Sequence, residues 1–373
     1  MTILRVGIVG CGEVTQIMHL PSLYQLSDKF QVTALCDVSA SVLAEVANTW
    51  RVTRRFLDYH ELIEQNDVDV ILVANPNAYH AAVTLAAIEA GKHVLVEKPM
   101  CMTLKESDKI IAASREQPHV VVQVGYMRRY APAFELACRL LPELGVIRLA
   151  RVHDVLGQNA LIIKDTSRVI RGNDIPADIV AEGQRLQEEA IVEAVAIGGT
   201  VGEVIPELRS AYSLLLGLSS HDTSAMRELL GMPHGVLYAA QRQGGLYLTA
   251  AFDYGGYVCQ FETGVDNIPR FDAHIEVYGT ERVLRVQYDT PYVRNLPIRL
   301  LITEANGKGG TVERMEHPSW GDPFVAEWEA FHENIVHQRT PKTSPADFRQ
   351  DLELFGDMIA LMRGQELVGE RIR

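Results

Sequence analysis

The sequence predicts an α/β protein of two domains: a doubly wound parallel-sheet domain over 1–125, then an α+β domain with a mostly antiparallel sheet over 126–373. Length is the first reason, because 373 residues exceed one ordinary core and suit about two. The second is that short β-branched runs alternate with helical patterns up to about residue 125, the signature of parallel strands joined by crossover helices. The third is a change of order beyond about residue 145, where strands gather apart from helices.

In the first part Leu4–Val9, Val32–Cys36, Val68–Ala74, His93–Val96 and Val120–Val124 read as strands. Helical stretches fall near 14–26, 40–49, 79–90 and 103–116, the last opening with Thr103 and Glu106 at capping-box spacing. In the second part a strand over Ile147–Val155 precedes a helical region from about 178 to 230, and several strands with hairpin-like spacing follow between 236 and 302. Two helices end the chain. In the first of them Phe324, Trp328, Phe331 and Ile335 recur at spacings of four and three, which puts them on one buried face.

Hydrophobic residues make up 47% and charged residues 22%, the composition of a soluble globular protein. With 48 acidic against 35 basic residues the formal charge is −13, which repels phosphate backbones and anionic lipid surfaces and argues against nucleic-acid or membrane partners. The first residues run straight into a strand pattern without a secretory signal, and no apolar stretch reaches the ~20 residues of a membrane helix. The 5 cysteines are odd in number and scattered, so neither a disulfide framework nor a paired-cysteine zinc site fits; they read as reduced, mostly buried side chains of a cytoplasmic protein. No His, Cys or carboxylate cluster has ligand spacing, so no metal is expected.

Gly10-Cys11-Gly12-Glu13-Val14-Thr15 follows the first strand and leads into a helix, with Asp37 at the end of the second strand. A tight turn at Gly10, close backbone approach at Gly12 and free helix N–H groups suit a pyrophosphate. Asp37 either accepts hydrogen bonds from the adenosine ribose and repels a 2′-phosphate, giving NAD over NADP, or caps the next helix in place of Ser39. Thr15 departs from the usual third Gly or Ala, which sets the helix slightly farther from the strand.

Further motifs carry a resemblance. They are Asn75-Pro76-Asn77-Ala78-Tyr79-His80, Ala90 to Val96 leading into Glu97-Lys98-Pro99, His19-Leu20-Pro21, Val124 to Tyr130, Glu276 to Thr280 and Pro341 to Asp347. With the glycine turn they make the chain resemble, over nearly its whole length, the glucose-fructose oxidoreductase/inositol dehydrogenase (Gfo/Idh/MocA) family. The resemblance implies an N-terminal Rossmann domain for NAD(P), a C-terminal domain whose large open sheet covers the nicotinamide, sugars or cyclitols as substrates, and homodimers or homotetramers formed through that sheet. It also implies that Lys98 lies beside the reacting alcohol or ketone, that Glu97 and Pro99 fix its backbone, and that Asn75, Pro76, Asn77 and His80 lie near the nicotinamide ribose. Tyr126, Arg128 and Arg129 would stand at the substrate cleft.

Chemistry supports Lys98 independently. Hydride transfer from a carbinol carbon needs a group to take the hydroxyl proton, and a partly desolvated lysine beside a cationic nicotinamide has its pKa pushed down toward working pH. His80 serves the cofactor or starts a helix; Arg128 and Arg129 bind a polar substrate or make ion pairs; His19 reads as a packing residue.

The family helix that carries an Asp and a His one turn apart is matched by Leu214 to Gly231, with His221 in place but Gly217 four residues before it. Asp222 cannot replace that acid, because adjacent helical residues point about 100° apart. His221 is expected to hold the substrate hydroxyl or to share its proton with Lys98, while Asp222 stands with His221 among the expected substrate-binding residues or else orients a neighbour or caps the helix. Ser224 falls where many relatives carry another Asp. The stretch 157–212 reads as an insertion, with an amphipathic helix from Asp178 to about Ile197 that carries Leu186, Ala190, Ala194 and Ile197 on one face and either caps the substrate cleft, makes an oligomer contact or is only solvated on its charged face.

The expected activity is NAD-dependent hydride transfer to or from a secondary alcohol or ketone of a sugar, cyclitol or related polyol. The competing readings are a redox-neutral lyase or glycosidase with tightly bound NAD, and an NAD-sensing binding protein, the latter motivated by Gly217 and Ser224.

Overall fold

A computed structural model of the chain describes residues 2–196 and 205–370. It falls into two compact units. The first comprises Met1–Tyr126, Ser167–Ile191 and Phe324–Gln350; the second comprises Met127–Thr166, Val192–Pro323 and Asp351–Arg373. The first unit thus takes up 167–191 and 324–350, which a linear division at residue 125 gives to the second domain.

The first unit is built on a six-stranded parallel sheet. Its strands are β1 (Leu4–Val9), β2 (Phe30–Cys36), β3 (Arg54–Phe56), β4 (Val70–Val73), β5 (His93–Glu97) and β6 (Val122–Gly125), in the order β3-β2-β1-β4-β5-β6. That order reverses direction between β1 and β4, the topological switch point of a doubly wound Rossmann sheet. Between the strands run α1 (Leu20–Gln25), α2 (Ala40–Trp50), α3 (Tyr59–Ile63), α4 (Asn77–Glu89) and α5 (Leu104–Glu116). All four residues of β4 are buried, as a strand covered on both faces requires. Thr103 and Glu106 form the expected capping box of α5. The core joins Val6, Ile8, Leu35, Leu72 and Leu95 of the sheet to Trp328, Phe331 and Ile335 of the helix Pro323–Val336, so the face read from the sequence is buried here.

The second unit holds an eight-stranded mixed sheet. Its strands are β7 (Ile147–Gly157), β8 (Gly235–Arg242), β9 (Tyr247–Asp253), β10 (Val258–Asp266), β11 (Phe271–Gly279), β12 (Arg282–Tyr288), β13 (Arg299–Ala305) and β14 (Thr311–Glu316). They run in the order β14-β13-β12-β11-β7-β10-β9-β8, with β7 and β10 parallel and the other pairs antiparallel. Buried and open positions alternate along β9 and β10, and Phe252 meets Phe261 edge to face at 5.8 Å on the buried side. Helices Pro132–Leu140 and Ser220–Leu230 pack on this unit's strands.

The inserted stretch forms helices Asn159–Thr166, Ala177–Val195 and Pro206–Leu214. Of its expected apolar face, Ala194 is buried and Leu186 and Ala190 are half-buried, while Ile197 lies outside the described residues. Among the described residues no helix is long and apolar enough to cross a membrane.

Candidate active site

Gly10 follows β1 with φ +98°, a left-handed conformation, and a Cβ there would sit 2.4 Å from the Ala74 carbonyl oxygen. Only glycine fits that turn. The Cβ position of Gly12, by contrast, meets nothing within 4 Å, so the backbone at the start of the helix is open to a large ligand. Thr15 replaces the usual small residue by bonding: it is fully buried and its hydroxyl donates to the Gly10 carbonyl at 2.6 Å. The helix then opens with a π turn over Thr15–His19. Burial raises the Cys11 thiol well above its usual pKa and Cys36 to about 12, so both stay protonated and unreactive.

The Asp37 carboxylate accepts from the Cys11 N–H and the Ser39 N–H, each at 2.8 Å. Ser39, not Asp37, caps α2, since its hydroxyl accepts from the Val42 N–H. Asp37 therefore braces the glycine turn from the end of β2, and as a half-buried carboxylate it keeps lone pairs for further donors.

At the ends of β4 and β5 the sites tighten further. Asn75 leads through exposed Pro76 into α4, which starts at Asn77. His80 lies in the first turns of that helix, buried, with Nδ1 2.8 Å from the Pro99 carbonyl and Nε2 2.6 Å from the Asn75 carbonyl. Burial lowers its pKa, opposed by those two oxygens. His80 thus ties the two strand ends together, and the side-chain oxygen of Asn75 stays buried without a hydrogen-bond partner among the described residues. Lys98 is half-buried directly after β5, and the peptide to Pro99 is cis.

Glu97 is buried beside Lys98. Its Oε1 lies 2.8 Å from His19 Nε2 and its Oε2 accepts the Lys98 N–H at 3.2 Å. The Trp328 indole N–H donates to His19 Nδ1 at 3.1 Å, which leaves the His19 proton on Nε2, donated to Glu97. Burial pushes the Glu97 carboxyl up, but the His19 bond and the charge of Lys98 hold it below its usual value. Glu327 is also fully buried; burial and the Glu97 charge raise its pKa far above the carboxylate range, so it is neutral. Sequence reading missed Trp328 and Glu327 as parts of this cluster and left His19 as packing alone.

In the second unit Arg128, Asp154 and Asp222 are buried together. Arg128 Nη1 donates to Asp222 Oδ1 at 2.6 Å and to Asp154 Oδ2 at 2.9 Å, and the guanidinium lies over the rings of Tyr288 and Phe271. Burial opposes the Arg128 charge, yet the two carboxylates raise its pKa above the usual value. Arg129 pairs with Glu228 at 2.5 Å. The helix Ser220–Leu230 continues from a π turn over Leu215–Ser219, so Asp222 has no helix end to cap and meets Arg128 instead. Hydrogen bonds in a π turn span five residues, and the regular-helix argument that set Gly217 under His221 does not carry across it. No atom lies within 4 Å of a Cβ at Gly217. His221 is buried, and Ser224 donates to its carbonyl. Tyr126, in the first unit, is fully buried and stacks on Phe348. Among the described residues no group of three or more His, Cys, Asp or Glu side chains is placed to hold a metal ion.

In the first unit Gly10, Gly12, Glu13, Val14, Asp37, Asn75, Pro76, Asn77, His80, Glu97 and Lys98 thus gather at the carboxyl ends of β1, β2, β4 and β5. This is the ligand edge of a Rossmann dinucleotide fold. Residues 4–126, about a third of the chain, match a family model described as an oxidoreductase family with an NAD-binding Rossmann fold (GFO_IDH_MocA). An inositol 2-dehydrogenase of Salmonella paratyphi B is 34% identical over 128 residues, 34% of this chain and 38% of the relative. An inositol 2-dehydrogenase/D-chiro-inositol 3-dehydrogenase of Shouchella clausii is 39% identical over 127 residues, 34% of this chain and 36% of the relative. The chain thus spans less than two fifths of the length of these curated relatives. A levoglucosan dehydrogenase in complex with NADH and levoglucosan shares the fold across 98% of both chains, with a TM-score of 0.73 at 19% identity.

Proposed function

We propose that this protein is a cytoplasmic, homodimeric or homotetrameric NAD-dependent oxidoreductase acting on a secondary alcohol or ketone of a sugar, cyclitol or related polyol. The observation that carries the reading is the gathering of a glycine turn, the Asn75–His80 turn and Lys98 at the ends of β1, β4 and β5, astride the switch point of one sheet. Inositol 2-dehydrogenases among the sequence relatives, and a solved structure of like fold holding NADH and levoglucosan, support the substrate class. The residues fit the cofactor: Gly12 is open, Asn75 keeps an unpartnered buried oxygen, and Asp37 presents a carboxylate where ribose hydroxyls belong. When bound, NAD supplies the nicotinamide carbon that takes or returns the hydride.

The chain's own residues do the rest. The backbone of Gly10, Gly12, Glu13 and Val14 receives the pyrophosphate, and Asp37 holds the ribose and disfavours NADP. Lys98 takes the hydroxyl proton as the carbinol carbon loses its hydride, and returns it in the reverse direction. Glu97, gripped by His19 and bonded to the Lys98 N–H, fixes the lysine's backbone. His221 assists as a proton or hydrogen-bond partner of the substrate oxygen. Tyr126, Arg128 and Asp222 hold the framework, because each is buried in stacking or ion-pair contacts.

The test is turnover on a polyol panel, followed both by NADH absorbance and by substrate loss. Lys98→Met and His221→Ala should each lower kcat by ~10²-fold or more while NAD affinity stays within a few-fold. Full activity in Lys98→Met would sink the mechanism. Substrate loss without net NADH would favour the redox-neutral reading, and NAD binding without turnover of any polyol would favour the sensor.

A further inference from the structure

We propose that Asp174, carried on the inserted segment that follows Thr166, is a specificity-determining residue that shuts a 2′-phosphorylated ribose out of the dinucleotide site. This rests on the reading of Asp37 as the ribose-binding carboxylate.

The segment 168–174 lies along the cofactor edge of the first unit. The Gln16 side chain bonds it both ways, accepting the Ile170 N–H at 2.8 Å and donating to the Ile170 carbonyl at 3.0 Å. Arg171 reaches Glu13 of the glycine turn at 2.5 Å. Asp174 then places its carboxylate at the start of α2. Oδ2 accepts the Ser41 N–H at 2.8 Å, and Oδ1 accepts the Ser41 hydroxyl at 2.7 Å and the Ser39 hydroxyl. Gly172 permits the approach: a Cβ there would fall 2.4 Å from Ser39 Oγ.

These three donors form an anion nest at a helix N-terminus, two to four residues beyond Asp37. A ribose whose hydroxyls reach Asp37 would direct a 2′-phosphate toward them, because the phosphate needs the same kind of donors. Asp174 already fills the nest, and its charge repels a second anion. The donors hold its pKa down to about 2, so it is ionised at any working pH. The segment is tethered at several points, so the carboxylate competes as an intramolecular ligand. Asp37 excludes the phosphate from one side, and Asp174 occupies the donors it would use on the other.

Calorimetric titration of the full chain with NAD, NADP, 5′-AMP and adenosine 2′,5′-bisphosphate tests this. Asp174→Ala should tighten NADP and the bisphosphate about tenfold or more relative to NAD and 5′-AMP, with Asp174→Asn between it and the native protein. Gly172→Ala, which forces the segment off Ser39 without altering any charge, should shift the preference the same way. Asp37→Ser alone should improve NADP less than the Asp37→Ser/Asp174→Ala pair. Native protein that binds NAD, with an NADP affinity unmoved in both Asp174 variants, overturns the role of Asp174 and leaves the dinucleotide reading standing. Native protein that binds neither NAD nor NADP overturns that reading and this proposal with it.

Discussion

Glu97 and Lys98 are neighbours at one strand end, and the proposed mechanism sets them opposite requirements: the carboxylate would have to stay charged although buried, and the lysine to exchange a proton. His19 and Lys98 meet the first requirement by lowering the Glu97 pKa against the effect of burial. Their interaction is reciprocal, so removing the Glu97 charge should make Lys98 easier to deprotonate. Glu97→Gln keeps an oxygen for His19 and is expected to lower kcat about tenfold, moving the limb of the pH–rate profile set by the lysine toward lower pH. A fall in kcat with an unmoved pH profile would reduce Glu97 to a packing role. At this scale the sequence made Gly10, Asp37 and Lys98 legible because each belongs to a short run with its own strand end. The Trp328–His19–Glu97 chain was not legible. Its links span 309 and 78 positions, and no local spacing records a bond formed only by the finished fold.

Elements were legible where they repeat often enough to show a period. The five longer parallel strands and the helices α2, α4 and α5 fall close to their expected ranges, whereas β3 has only 3 residues and α3 only 5, too few for a pattern. β14 was missed for another reason: its residues are almost all exposed, so neither face carries an apolar alternation. The two π turns are equally silent in sequence, yet one begins the helix after the glycine turn and the other precedes His221. The Arg128 cluster shows what such gaps cost. Read on a regular helix, Asp222 is a cap or a substrate ligand; in the structure it joins the helix Ser220–Leu230 to Arg128, beside Asp154 of β7. Asp222→Asn is therefore expected to destabilise the protein by about 3 kcal/mol, because it strips a buried guanidinium of one of its two carboxylates. Urea unfolding would show this with the KM for polyol little changed. Unchanged stability with a large rise in KM would instead restore Asp222 to substrate binding.

At the scale of the whole molecule, buried groups make stability depend on pH in two opposing ways. Glu327, in the first unit, has a folded pKa far above the usual carboxylate value, so the native state keeps a proton that the unfolded chain releases above about pH 4.5. Its contribution is unfavourable at neutral pH and fades as pH falls toward 4.5. His274, in the second unit, has its pKa lowered to about 4 by burial and by Arg285, with His153 adding and Asp272 opposing. Its neutral ring suits the fold above pH 6.5, and stability is lost as pH falls from about 6.5 toward 4, because the unfolded chain takes up a proton that the native state refuses. Glu327→Gln, which keeps the protonated shape, should be more stable than the native protein at pH 7, with the gain shrinking to nothing near pH 4.5. His274→Gln should flatten the loss between pH 6.5 and 4. Each slope is bounded at about 1.4 kcal/mol per pH unit for one proton. Urea midpoints across this range measure both. A Glu327→Gln gain that stays constant with pH would mean that Glu327 is already ionised in the fold, and an unaltered acid slope in His274→Gln would place the titrating histidine elsewhere, at buried His80 or half-buried His93, whose pKa values burial also lowers.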